Sequence, residues 1–265
     1  MFHGEIVKSM QVTDFVLTET TYPSHAVIPR HSHADAYFCF VVQGNFTEKY
    51  ENKNRICRPA MSIFHPSGET HADRFGAEPG KCFNFQMNKV WLTRVGQSSV
   101  DFEVPHDFRD SDSFRIFYRL YREFCNFDEV SPLAVEGLAL ELVVHAARGV
   151  KNRVSAGSPR WLRSVHDLLH DRFTEQLSLK SISSIAGVHP VHLARAFRRQ
   201  YGCSIGEYVR KLRIDHSCRA LSSSNFPISS IAYDAGFSSQ SHFSTLFKRY
   251  LGTTPAEYRA AFRKC

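Results

Sequence analysis

The spacing of hydrophobic positions changes character along the chain. Short aromatic and β-branched runs dominate up to about residue 100, and Tyr37–Val42 is the clearest of them. Turn-forming clusters separate these runs, at Gln43-Gly44, residues 51–54, Pro66-Ser67-Gly68 and Pro79-Gly80. Short strands at such intervals predict a small antiparallel barrel or sandwich.

From Ser111 the hydrophobic period becomes helical. Aromatic residues recur at three- and four-residue steps, at Phe114, Phe117, Tyr118 and Tyr121. This is typical of a helix with one buried face. A second helical run, Leu133–Ala147, is apolar around most of its circumference. We therefore expect an N-terminal domain over residues 1–148, with strands to about 100 and helices over 111–148. Residues 149–159 are polar and contain Gly, Ser and Pro, which predicts a linker before an all-α domain over 160–265.

The C-terminal part contains an internal repeat with a period of about fifty residues. The segment from Ser181 (SISSIAGVHPVHLARAFRRQYGCSIGEYVRKLR) matches the segment from Ile228 (ISSIAYDAGFSSQSHFSTLFKRYLGTTPAEYRAAFR). Each copy has a glycine, Gly187 or Gly236, where a first helix must stop, followed by a helix with an i,i+4 apolar pair. The repeat predicts two helix-turn-helix units, at about 179–201 and 228–250, with Ser238 as the cap of the last helix.

The connection between the two units reads as one continuous helix from Ser204 to about Ser222. At 1.5 Å per residue it spans roughly 28 Å, close to the ~34 Å of one DNA turn. We therefore expect the second helices of both units to enter successive major grooves on one face of a duplex.

Basic charge is concentrated in the same part of the chain. The chain has 33 Lys+Arg and 26 Asp+Glu, a formal net charge of +7. From Ser158 onward there are 16 basic and 7 acidic residues, so the preceding part is slightly acidic. This asymmetry predicts that only the C-terminal part meets a polyanion such as double-stranded DNA.

The second helix of each unit has the order of side chains that a recognition helix needs. Small and hydrogen-bonding groups, which reach base edges, come first, and basic groups, which meet phosphates, come last. The candidate DNA-contacting residues of the first unit are Pro190, Val191, His192, Ala194, Arg195, Arg198 and Arg199. Those of the second unit are Gln240, Ser241, His242, Ser244, Thr245, Lys248 and Arg249.

The repeat resembles the AraC/XylS family of bacterial transcription regulators. IAYDAGFSSQSHFSTLFKRYLGTTPAEYR follows the family pattern I-A-x-x-x-G-F-x-x-x-S-x-F-x-x-x-F-K-x-x-x-G-x-x-P-x-x-Y-R, and the resemblance covers Trp161–Arg259. It implies two helix-turn-helix units joined by a linker helix. The base-reading positions it implies are Val191, Ala194 and Arg195, then Gln240, Ser241, Ser244 and Thr245. Ser183 departs from the usual Ala, and a hydroxyl bonded to the carbonyl four residues earlier would be tolerated there.

Histidines form a second candidate site in the N-terminal part. His31 and His33 stand in PRHSHADAYF, and His65 and His71 in HPSGETHADRF. Because side chains alternate along a strand, we expect His31, His33 and Tyr37 to share one face.

The order of these histidines resembles a cupin, whose motifs are H-x-H, Glu, Gly and a later His after a P-x-G turn. The resemblance implies His31, His33 and His71 as metal ligands. Tyr37 stands where a cupin has Glu, which weakens the case for a catalytic iron. Three imidazoles can hold Zn²⁺ or another divalent metal, with Tyr37, His65 or water as fourth ligand. Two alternatives stay open: metal-free barrel residues, and a pocket for an organic effector.

The predicted fold is α+β and multi-domain: an N-terminal cupin-like β-barrel followed by helices, then an all-α domain with two helix-turn-helix units joined by a linker helix. The predicted function is sequence-specific, effector- or metal-responsive transcription regulation and not catalysis. The alternative is a cupin metalloenzyme with an accessory DNA-binding domain. Expected partners are double-stranded DNA, a small-molecule or metal effector, and RNA polymerase for an activator. The apolar helix Leu133–Ala147 either pairs with a second copy of the chain or only covers the barrel. The sequence has no signal-peptide pattern and no apolar run long enough for a membrane span, so we expect a cytoplasmic protein without a membrane partner.

Overall fold

The computed structural model describes the chain in five stretches, residues 2–59, 61–96, 106–108, 111–154 and 159–264. The chain divides into two units, one made of residues 1–151 and 260–265 and the other of residues 152–259. Within the described stretches, no helix combines the length and the apolar character needed to cross a bilayer.

The first unit begins with antiparallel strands. Their bounds are β1 Glu5–Val12, β2 Phe15–Tyr22, β3 Val27–Ser32, β4 Ala36–Gln43, β5 Phe46–Tyr50, β6 Lys53–Cys57, β7 Ser62–His65, β8 Thr70–Phe75, β9 Gly80–Met87 and β10 His106–Phe108. They form a six-stranded sheet in the order β1-β2-β9-β4-β7-β10 and a four-stranded sheet in the order β3-β8-β5-β6. This confirms the predicted antiparallel β domain.

Strand β4 explains how the core of this unit is built. Tyr37, Cys39 and Val41 belong to a core cluster that also includes Phe46 and Phe75 of the other sheet. Alternate residues Phe38 and Phe40 face the opposite way, and both are fully buried. Because both faces of β4 are covered, its sequence is a continuous apolar run rather than an alternation of apolar and polar residues.

Three helices follow in the described residues of this part of the chain. Their bounds are α1 Lys89–Gly96, α2 Ser111–Cys125 and α3 Ser131–Val154. Helices α1 and α2 pack against the six-stranded sheet. Phe117 of α2 packs against Phe38 and Phe40, with ring centroids 5.3 and 5.8 Å apart. Helix α1 lies in the stretch to which the sequence analysis assigned only strands. Helix α3 continues through Val154, so the first part of the predicted linker is helical, and residues 155–158 lie outside the described residues.

In the described residues of the C-terminal part, helices joined by short turns are the regular elements. Its helices are α4 Arg160–Arg172, α5 Leu179–Ala186, α6 Pro190–Tyr201, α7 Ile205–Ser223, α8 Ile228–Asp234, α9 Gln240–Leu251 and α10 Pro255–Lys264. The predicted units correspond to α5–α6 and α8–α9, and the predicted linker helix is α7. The duplicated helix-turn-helix architecture is therefore confirmed.

The helix ends follow most of the expected local signals, with two corrections. Gly187 and Gly236 have φ of 65° and 84°, as the turns require. Ser239, and not Ser238, caps α9, because its side chain accepts from the backbone N–H of His242 at 3.2 Å. An N-cap oxygen reaches only the N2 or N3 amide, and Ser238 is one residue too early. The Ser183 hydroxyl donates to the carbonyl three residues earlier rather than four.

Candidate functional site

Helix α6 is held in place by one buried face. Leu193 and Phe197 lie in a core cluster with Leu162, Val165 and Ile182 of the preceding helices. His189 caps the helix by accepting from the Val191 backbone N–H, and Pro190 occupies its first turn. The i,i+4 apolar pair therefore turns the opposite face of α6 away from the core.

The face left free carries the residues that the sequence predicted for DNA. Val191, His192, Arg195, Arg198 and Arg199 are exposed, and Pro190 and Ala194 are half-buried. On α9, Gln240, Ser241, His242, Thr245, Lys248 and Arg249 are exposed, and Ser244 is half-buried. Phe243 and Phe247 of α9 are fully buried. Both helices thus present small or hydrogen-bonding groups near their N-terminal ends and basic groups near their C-terminal ends.

The basic groups at the ends of these helices are available to a ligand. No salt bridge in the described part of the chain involves Arg195, Arg199 or Arg249. Arg198 and Arg210 lie close enough to Glu207 to contribute to the lowered pKa of that carboxyl, although the Ser204 backbone N–H is the main cause. An unpaired guanidinium on an exposed helix suits contact with phosphate.

A groove of about 500 Å³ lies between the two recognition helices. Ala194 and Arg198 of α6 and His242 of α9 line it. Arg210 of α7 also lines the groove, and sequence reasoning did not select it. The basic pair Arg210-Lys211, in a helix that connects two helix-turn-helix units, was the available signal.

The histidines of the first unit lie around a small chamber between the two sheets. Its lining includes His31, His33, His65, His71 and Tyr37. His33 follows the end of β3 and Tyr37 lies on β4, so the expectation that they share a face of one strand with His31 is wrong. The pairing of β3 with β8, which sets His31 opposite His71, brings the predicted ligands together instead. The first residues of the chain also line the chamber, with the Phe2 ring 4.8 Å from that of His33.

Three of these histidines offer ligand atoms to a common point. One nitrogen from each of His31, His33 and His71 lies within 4.8 Å of the others. His31 Nδ1 donates to the carbonyl of Pro29 at 2.9 Å, which leaves the lone pair of Nε2 free. His33 Nε2 and His71 Nδ1 are buried without a hydrogen-bond partner in the described part of the chain. Orphaned buried nitrogens of this kind need an explanation such as a water or an ion.

The protonation of the site suits a cation. Burial lowers the pKa of His33 to about 3 and that of His71 to about 2, and it also lowers the pKa of His31. The three imidazoles are therefore neutral at pH 7, and a metal ligand has to be neutral imidazole.

A buried carboxylate, which the sequence patterns did not reveal, also lines the chamber next to the histidines. Glu48 of β5 forms a second cluster with His65 and His71, whose potential ligand atoms also lie within 4.8 Å of one another. Its carboxylate accepts from Arg55 Nε, and both side chains are almost fully buried. The alternation of β5, in which Phe46 and Glu48 face inward and Thr47 and Lys49 outward, was the signal that indicated it.

The chain is similar to known proteins over both parts. A family model described as a helix-turn-helix domain matches residues 182–261, and one described as an AraC-like ligand binding domain matches residues 12–143. The chain is 39% identical over 85 residues to the probable transcription factor PqrA of Proteus vulgaris, covering 32% of this chain and 70% of that protein. It is 22% identical over 231 residues to the arabinose operon regulatory protein of Escherichia coli (strain K12), covering 83% of this chain and 78% of that protein. The crystal structure of the DNA-binding domain of AdpA in complex with a target DNA is 27% identical with a TM-score of 0.37, covering 38% of this chain and 92% of that one.

Proposed function

Because this chain belongs to the AraC family of transcription regulators, we propose that it reads a bipartite DNA sequence with α6 and α9. The chain is a DNA-binding regulator with a ligand-binding domain, and the alternative of a cupin metalloenzyme finds no support among its relatives. The observation that carries the proposal is the exposed order of side chains on α6 and α9, in which base-reading groups precede phosphate-binding groups. The reading positions are Val191, Ala194 and Arg195, then Gln240, Ser241, Ser244 and Thr245. The compartment of action is then the one that holds the DNA, the bacterial cytoplasm.

Selection of duplexes from a randomised pool by the full-length protein tests this proposal. We expect a bipartite consensus whose halves are separated by about one helical turn. Competition by non-specific DNA at several salt concentrations then gives the specificity ratio, which we expect to be at least about 10³. Binding that is equal on all sequences would contradict the proposal.

The effector of the N-terminal domain is, in our proposal, a divalent metal ion held by His31, His33 and His71. The chamber encloses about 20 Å³, which is room for about one water or ion. Organic ligands occupy pockets of about 300–1,000 Å³. Neutral imidazoles favour Zn²⁺ among the common divalent ions, with water as a fourth ligand. The orphaned nitrogens of His33 and His71 support this choice over metal-free barrel residues.

Metal binding and the effect of the metal on DNA affinity are measured in separate experiments. Untagged protein is titrated with Zn²⁺ against a chelating indicator, and the wild type is expected to bind about one equivalent. His33→Gln should lose this binding, whereas His25→Asn, at an exposed histidine outside the chamber with φ of 61°, should keep it. The affinity for the selected duplex is then compared with Zn²⁺ and with EDTA. Equal Zn²⁺ affinity of wild type and His33→Gln would contradict the metal proposal and leave the DNA-binding proposal standing.

We also propose that a second copy of the chain packs against α3. Residues at 4-3-4 spacing, Leu133, Gly137, Leu140 and Val144, are exposed on one side of this helix. Three of them are apolar, with 76%, 44% and 46% of their surface exposed. A Cβ on Gly137 would meet no atom within 4 Å, so a partner helix can approach closely there. This spacing is the seam of a coiled coil, and a seam that is complementary to itself pairs two identical chains.

A further inference from the structure

One side chain of the linker helix binds segments on both sides of it. Arg213 of α7 donates from Nε to the carbonyl of Phe173 at 2.7 Å and from Nη2 to that of Glu175 at 2.8 Å. Its Nη1 donates to the carbonyl of Gly236 at 2.6 Å. Phe173 and Glu175 lie between α4 and α5, before the first helix-turn-helix unit, and Gly236 lies in the turn of the second. A single guanidinium thus connects the two units, with charge-assisted bonds that are stronger than neutral ones.

The backbone of Gly236 touches the same segment directly. A Cβ built on Gly236 would lie 2.3 Å from the carbonyl oxygen and 2.8 Å from the carbonyl carbon of Thr174. Thr174 stands between the two other carbonyl groups that Arg213 binds. The turn of the second helix-turn-helix unit therefore packs directly against the segment that precedes the first one. Only glycine allows so short a distance there.

The equivalent glycine of the first unit makes no such contact. Gly187 also has positive φ, yet a Cβ there would meet no atom within 4 Å. The two positions correspond in the internal repeat, and both need a left-handed conformation to end a helix. Close approach to another segment is the property that Gly236 has in addition.

Helix α7 itself belongs to both units. Ile205, Tyr208 and Leu212 from its first half pack in or against the core cluster of the first helix-turn-helix unit. Cys218 from its second half is fully buried, and α7 also contacts α8 of the second helix-turn-helix unit. Arg213 lies between these halves. Two links therefore hold α6 and α9 at their separation: helix α7, and the contact of Arg213 and Gly236 with residues 173–175.

We propose that the contact of Arg213 and Gly236 with residues 173–175 fixes the separation of the two recognition helices before DNA binds, so that the regulator discriminates the spacing of its two half-sites. This inference rests on the proposed reading of bipartite DNA by α6 and α9. Arg213 acts as a positioning residue. A preset separation places both helices on a correctly spaced site without a cost of ordering. The same rigidity prevents the protein from following a half-site that has been displaced.

The test uses the full-length protein and the duplex selected by the wild type, together with versions that have one base pair inserted or removed between the halves. For the wild type, either change should weaken binding at least about tenfold, because one helix loses its base contacts. Arg213→Met and Gly236→Ala should bind the selected duplex less tightly. Their ratio of affinities between selected and altered spacing should fall to about threefold or less, because a flexible pair can still reach both halves.

Two matched variants distinguish an effect on half-site spacing from the effects of backbone strain and of a lost positive charge. Gly187→Ala introduces the same positive-φ strain in the other turn without touching another segment, and it should keep the wild-type ratio. Arg210→Met removes a positive charge from the groove side of α7, and it should weaken binding equally at every spacing. Arg213→Lys retains the charge but offers a single nitrogen, so it replaces Arg213→Met if that variant fails to fold, as judged by its thermal melt.

A folded Arg213 or Gly236 variant whose spacing ratio equals that of the wild type would overturn the inference. So would a loss of affinity that is uniform over all spacings, because that result reduces Arg213 to a contributor to stability. Failure of the wild type to select any bipartite duplex would instead overturn the proposed function itself.

Discussion

The phenol oxygen of Tyr37 lies 3.2 Å from Nε2 of His71. In the sequence, Tyr37 occupies the place of the cupin glutamate. In the structure it contacts His71, a candidate metal ligand, on the ring nitrogen Nε2. With a metal on Nδ1, Nε2 is protonated and donates to the phenol oxygen. The tyrosine then fixes the tautomer and the orientation of His71, which is the role that carboxylates and carbonyls have behind many metal-bound histidines.

Replacing Tyr37 by Phe should therefore weaken Zn²⁺ binding by about 10- to 100-fold while leaving the ring in place. The affinity is measured by competition with a chelator of known strength. Tyr22→Phe is the matched control, because Tyr22 also lines the chamber but its hydroxyl interacts with Thr20 and not with a histidine. Equal effects of the two substitutions would argue that the phenol oxygen of Tyr37 has no special part in binding.

Arg195 and Arg199 should behave differently on DNA although both are exposed on α6. Arg195→Ala should cost about 1–3 kcal/mol and relax the preference at one base position, whereas Arg199→Ala should weaken binding on all sequences and flatten the salt dependence. Fluorescence anisotropy on the selected duplex and its single-position variants, at several salt concentrations, distinguishes the two. Arg30→Ala, an exposed arginine of the N-terminal part, controls for overall charge. A uniform effect of Arg195→Ala on every sequence would remove this residue from the base-reading set.

Leu140→Glu should convert a dimer into a monomer, because it places a charge in the middle of the apolar seam on α3. Sedimentation velocity over a range of protein concentrations measures the change. Val90→Glu puts the same charge on another exposed apolar residue, 76% of whose surface is exposed, and it should leave the mass unchanged. A wild-type protein that is monomeric at all concentrations would refute the proposed seam.

The capping boxes of α7 and α10 should make stability fall in acid. The Ser204 backbone N–H lowers the pKa of Glu207, and the Thr254 backbone N–H lowers that of Glu257. A carboxyl group whose pKa is lower in the folded state contributes its full stabilisation of the fold at a pH above its unfolded-state pKa of about 4.5. This contribution is lost as the pH falls through the folded-state pKa. The melting temperature of a Glu207→Gln/Glu257→Gln variant should thus depend less steeply on pH between about 5 and 3. Glu5→Gln, at an exposed position of β1, should retain the wild-type slope, and a double variant that also retains it would contradict the prediction.

The helix-turn-helix pair could be predicted closely because its determinants are local. The i,i+4 apolar pairs, the positive-φ glycines and the Ser204–Glu207 capping box all act within one or two helical turns, so spacing in sequence is spacing in space. Besides the carbonyl that Ser183 binds, the cap of α9 was predicted wrongly. The second turn is one residue longer than the first, and only its actual path selects Ser239 over Ser238.

The sequence by itself determined that this chain has a β domain with several histidines, followed by two related helix-turn-helix units. Tertiary structure decided which side chains lie next to one another. Pairing of β3 with β8 sets His31 opposite His71, and the inward face of β5 adds Glu48, because neighbours across a sheet are fixed by register and not by distance along the chain. In the same way, nothing near Arg213 in sequence indicates that its guanidinium reaches Phe173 and Gly236. That contact exists because α7 packs against both units, so that one side chain can meet carbonyl groups that are 40 and 23 residues away.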